Sequence, residues 1–111
     1  MSDALSIRAS VVLVPLCFTL AVEPSMPTIG AAGIGAKQVA AEYKLTGPVE
    51  MSDIRPTDFG PGRFMMCIRG IEPTHNQVGY FAVFFDNDVY KGSRASAILE
   101  GCEKQDYHPV P

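Results

Sequence analysis

The sequence predicts an α+β domain: an N-terminal helix packed on a small antiparallel sheet of three or four strands, with a short C-terminal helix and one disulfide. Three observations lead there. A stretch rich in Ala, Lys, Gln and Glu runs from Ala36 to a Thr-Gly-Pro stop, two long apolar runs of strand character follow, and Cys67 and Cys102 bracket the second of those runs.

The first element is a leader. Ser10 to Val22 reads SVVLVPLCFTLAV, an almost unbroken apolar run preceded by Arg8 and followed by Glu23. A membrane-spanning helix needs about 20 such residues, whereas a run of this length fits the apolar region of a secretory signal. Thr19-Leu20-Ala21 places small residues three and one positions before a cut, and Gly30-Ala31-Ala32 and Ile34-Gly35-Ala36 are later candidates. Residues 1–21 are therefore expected to be a signal peptide, 22–35 a flexible linker and 36–111 the domain. Cys17 follows Leu16 in mid-run, which is not the context of a lipid-acceptor cysteine.

Val22 to Gly35 holds two prolines and three glycines with little periodicity, the composition of a tether. The following AKQVAAEYKL favours helix, with Val39, Ala40 and Tyr43 as its apolar stripe, and Thr46-Gly47-Pro48 supplies the stop. Val49 to Ile54 reads as a short strand, and Arg55 to Gly62 as a loop made of turn residues. Arg63 to Arg69 alternates, with Phe64, Met66 and Ile68 on one face and Met65, Cys67 and Arg69 on the other. Val78 to Phe85 is apolar on both faces and so belongs in the middle of the sheet. Asp86-Asn87-Asp88 turns the chain into a third strand at Val89-Tyr90-Lys91. Beyond a Ser93 cap, Ala95, Ile98, Leu99 and Cys102 recur at helical spacing, which would carry Cys102 back toward Cys67. The tail from Tyr107 to Pro111 is expected to be extended.

Composition narrows the function classes. With nine Lys and Arg against twelve Asp and Glu, the formal net charge is -3, and no basic run marks a nucleic-acid or anionic-membrane surface. Once Cys17 leaves with the leader, Cys67 and Cys102 form an even pair, which in a small exported domain reads as a disulfide. They lack the Cys-x-x-Cys spacing of a redox site.

The chemical motifs all have plainer readings. Asp86-Asn87-Asp88 opens like a calcium loop, but Tyr90, Lys91 and Ala97 stand where an oxygen ligand, the turn glycine and the bidentate acid belong, so a hairpin turn is expected. Gly30 to Lys37 is glycine-rich without the Lys-Ser/Thr pair of a phosphate loop. His75 and His108 are isolated in turn-like segments, and no Gly-x-Ser-x-Gly elbow occurs. No catalytic, cofactor-binding or metal-binding residues are assigned; the site residues named are the disulfide pair Cys67 and Cys102. Arg69, Glu72 and Arg94 flank the sheet and could line a binding face.

Phe64-Met65-Met66-Cys67-Ile68-Arg69, then Tyr80 to Asp86, then Cys102 with Tyr107-His108-Pro109, resembles small uncharacterised exported proteins and lipoproteins of alphaproteobacteria. That resemblance implies an envelope location and a Cys67–Cys102 bond, and no activity. The expectation is a periplasmic or secreted protein, non-enzymatic, with a binding or structural role toward another envelope protein. The alternatives are a small hydrolase using Cys67 or Cys102 with a histidine, and a membrane-anchored protein that retains residues 10–22. No nucleic-acid partner is expected, and membrane contact only through an uncleaved leader.

Overall fold

The computed structural model describes residues 23–111. The signal peptide assigned to residues 1–21, including Cys17, lies outside them. One helix, α1 (Ile29–Glu42), packs on an antiparallel sheet of β1 (Thr46–Ser52), β2 (Arg55–Pro56), β3 (Phe64–Glu72), β4 (Gln77–Asp86), β5 (Val89–Ala95) and β6 (Tyr107–Pro109). The strand order is β5-β4-β3-β1-β6, with β2 pairing β3 off that path. This corrects the expected α+β class with three or four strands and two helices: the architecture is mostly β, six strands and one helix among the described residues.

Three segments account for the difference. The expected C-terminal helix does not form, because β5 runs on through Arg94 and Ala95, paired with Ala82 and Phe81. Gly101 then takes a left-handed φ of 62°, leaving only a single 3-10 turn at Cys102–Lys104. Ile98 and Leu99, the expected apolar stripe, are 97% and 71% exposed. Two further strands come from Arg55–Pro56, which pairs with Met65 and Phe64, and from the tail, where Tyr107, His108 and Pro109 pair with Ser52, Met51 and Glu50.

The helix also begins earlier than expected. Thr28 caps it, its Oγ1 accepting from the Ala31 N–H, and the Gly/Ala-rich residues 29–35 are its first two turns rather than linker. Small residues are needed there because α1 lies close on the sheet. A Cβ on Gly35 would stand 2.6 Å from the Phe85 ring, and Ala32 and Ala36 are fully buried. The helix stops at Lys44, in the left-handed region at φ 57°, and the Leu45 N–H closes the end on the Ala40 carbonyl. Gly47 and Pro48, read as the stop, are strand residues of β1.

Residues 25–28 are tied down as well. Ser25 donates its N–H and hydroxyl to Asn87 Oδ1, each at 2.9 Å, and its carbonyl accepts the Asn87 N–H. Thr28 donates its N–H to Asp88 Oδ1 at 2.8 Å. The β4–β5 turn therefore acts as a clamp on the chain entering α1.

The sheet separates two cores. On the helix side, Met51, Met66, Ile68, Phe81, Val83 and Phe85 meet Ala32, Ala36 and Val39, with Tyr43 stacked on Phe81 at 4.1 Å between ring centroids. On the other side, Met65, Cys67, Ala82, Phe84 and Cys102 form a smaller core under loop residues including Phe59. β3 and β4 separate the two faces in unbroken register from Phe64↔Phe85 to Glu72↔Gln77. The outer strands differ from this central pair: β6 is three residues long and contains Pro109, and β5 carries an irregularity opposite Phe84 and Phe85, where Gly92 has φ 142°.

Candidate functional site: the disulfide face of the sheet

The face opposite α1 is organised around the bond between Cys67 on β3 and Cys102 on the 3-10 turn, whose Cα atoms are 5.5 Å apart. Both cysteines are fully buried. The bond fixes the C-terminal segment over the sheet, and two arginines and a carboxylate complete the attachment. Glu100 is 1% exposed, accepting from the Ala97 N–H at 2.8 Å and from Arg94 Nε at 2.6 Å. Burial acts to raise the Glu100 pKa, but these hydrogen bonds outweigh it and hold the carboxyl below its ordinary value. Arg55 donates to the Glu100 carbonyl and sits 4.0 Å from Cys67 Sγ. Arg94 also donates to the Phe59 carbonyl and lies over the Phe84 ring at 5.0 Å.

Beside this anchor lies a depression of about 400 Å³ lined by Tyr80, Ser96, Ala97, Ile98 and Gly101 to Lys104. Its wall is braced from below. The Tyr107 hydroxyl donates to the Cys102 carbonyl at 2.8 Å, and Arg69 lies over the Tyr107 ring at 4.3 Å while its Nε donates to Glu50 Oε1 at 2.8 Å. The Glu50 hydrogen bond raises the Arg69 pKa further above its ordinary value. Burial, with Tyr80 nearby, pushes the Tyr107 phenol up to about 12, so it serves as a donor and not as a base. A sheet with alternating faces brings these groups together: Glu50 pairs with Arg69, and Arg69 with Tyr80.

Of the residues singled out from sequence, Cys67 and Cys102 are bonded, and Arg69 and Arg94 lie on this face. Glu72 lies elsewhere, at the β3–β4 turn, where Glu72 Oε1 meets His75 Nδ1 at 2.8 Å. His108 meets Asp53 across 3.4 Å. Asn87, φ 54°, forms a hairpin turn with Asp88. Gly30 to Lys37 lies within α1. Glu100 and Tyr107 are not identifiable from the sequence, since a lone acid among Ala, Ile and Leu and a lone tyrosine in a tail carry no spacing signal. Among the described residues no group of three or more His, Cys, Asp or Glu is placed to hold a metal, and no helix is long and apolar enough to cross a membrane.

Comparison with known protein families, curated proteins and solved structures finds no match for this chain.

Proposed function

We propose that this is an exported, non-enzymatic protein of the cell envelope, periplasmic or surface-facing, which contacts another envelope component through the disulfide face. The observation that carries the reading is the buried Cys67–Cys102 bond, which is compatible with an oxidising compartment and agrees with a leader-like N-terminus. The site is suited to binding. The segment that lines its depression is held in place by the disulfide, the Arg94–Glu100 pair and the Tyr107–Cys102 hydrogen bond, and Ile98 in that lining is exposed to solvent. A thiol-dependent hydrolase finds no support here, because both cysteines of the described residues are consumed in the bond.

Cell fractionation with thiol labelling tests the proposal. Protein recovered outside the cytosol should react with a thiol reagent at Cys67 and Cys102 only after denaturation and reduction. Full-length protein in the cytosol with both thiols free would overturn it.

A further inference from the structure

The two sulfurs of the Cys67–Cys102 bond stand in unlike surroundings. Cys67 is locked in the centre of the sheet, paired across β3 and β4 with Ala82, and its N–H donates to Ser52 Oγ at 2.8 Å. Cys102 instead belongs to a single 3-10 turn that follows the left-handed Gly101, and it lines the depression of about 400 Å³ with Ala97, Ile98 and Lys104. Both residues are fully buried, so a reagent reaches the bond only when one side loosens. A one-turn surface segment opens more readily than the central strand pair, which makes Cys102 the sulfur met first.

The charges around the bond point the same way. Arg55 Nη2 sits 4.0 Å from Cys67 Sγ, and its other contact is the Glu100 carbonyl, which carries no formal charge to neutralise it. Cys102 Sγ stands 3.9 Å from the Phe81 carbonyl oxygen. A guanidinium stabilises a thiolate beside it, whereas the negative end of a carbonyl dipole opposes one. In thiol–disulfide exchange the sulfur that better bears negative charge leaves faster.

We propose that the bond is a polarised exchange site, at which a small thiol entering the depression attacks Cys102 Sγ and expels Cys67. The attacking thiolate forms a new S–S bond to Cys102, the Cys67–Cys102 bond breaks, and its electron pair leaves with Cys67 as a thiolate facing Arg55. The thiol is the only co-reactant. Its product is a mixed disulfide on Cys102 with Cys67 free, and return attack by Cys67 on Cys102 expels the thiol and restores the bond. The inference goes beyond the envelope reading and needs the bond, not the compartment.

Glutathione tests this on the disulfide-bonded full chain without denaturant. Reactions stopped in acid and digested at low pH with pepsin keep each adduct in place, and peptide masses locate it. The native adduct should favour Cys102 over Cys67 by at least about tenfold, forming more slowly than in urea, where both sulfurs are solvated and the preference should fall below about threefold. Arg55→Gln should move the native ratio toward the urea value, while Arg55→Lys, which keeps the charge, should retain it. A native adduct mainly on Cys67, an even mixture, a preference that persists in urea, or no native adduct after overnight reaction would overturn the proposal. So would a ratio that Arg55→Gln leaves unchanged or that Arg55→Lys also abolishes.

Discussion

Glu100→Gln isolates the electrostatic part of the C-terminal anchor. The substitution keeps the shape of a side chain that is 1% exposed but replaces one carboxylate oxygen with an NH₂ group. One of the two donors now satisfied, the Ala97 N–H or Arg94 Nε, must then face another donor. A hydrogen bond to a charged group contributes about 1.5–3 kcal/mol. Because the Arg94 side chain is 43% exposed, water recovers part of that, so the expected loss is about 2 kcal/mol. In urea, with a slope near about 1 kcal/mol per molar for a domain of this size, the midpoint should fall by about 2 M.

The loss should depend on pH, and its direction follows from the lowered Glu100 pKa. A carboxyl that ionises more readily folded than unfolded contributes stability in full above the ordinary value of 4.5, and that contribution disappears as pH falls through the lower folded value. The gap between wild type and Glu100→Gln should therefore be constant from about pH 7 to about 5 and close below 4.5. Tyrosine fluorescence or circular dichroism reports the unfolding, as the chain has no tryptophan. A gap under about 0.5 kcal/mol at about pH 7, or one unchanged down to about pH 3, would refute the role given to this carboxylate.

Removing the disulfide through Cys67→Ala with Cys102→Ala should cost about 4 kcal/mol in the chain-entropy account for a separation of 35 residues, read from denaturant curves. Since both cysteines are fully buried, native protein should also resist a reductant that acts within minutes on the urea-unfolded chain. Gly35→Ala should destabilise by about 1–3 kcal/mol despite the better helix propensity of alanine, because the Phe85 ring 2.6 Å away is itself buried; a gain in thermal midpoint would show that α1 can lift. Asn87→Gly keeps a turn that needs φ 54° and deletes the Ser25 acceptor, so a loss of about 1–2 kcal/mol is expected in thermal or urea unfolding. In an alkaline absorbance titration, one of the four tyrosines should ionise last, at about 12, and Tyr107→Phe should delete that step.

Strand alternation is readable in the sequence wherever two different cores demand it. Met66 and Ile68 do lie in the helix-side core while Met65 and Cys67 lie in the core on the disulfide side, and the doubly apolar Val78 to Phe85 does lie between two neighbours. Close packing hides the helix start. Glycine and alanine at 29–36 have the composition of a tether, and only the proximity of Phe85 and Pro111 shows that small side chains are required there. Helical spacing misleads at Ala95 to Cys102, where Gly101 turns left-handed and the inward residue is Glu100, drawn in by Arg94 and the Ala97 N–H. The site shares that fate. Its bonded cysteines are legible, whereas the Glu50–Arg69–Tyr107 brace depends on β1 and β6 being neighbours, which no local pattern encodes.

The two rims of the sheet bear on how this protein fails under stress. On one side Pro109 cannot offer an N–H to a newcomer, and on the other Lys91 and the Gly92 irregularity spoil the flat, regular template that a recruited strand would copy. Pairing of copies edge to edge is disfavoured at both borders while the fold holds.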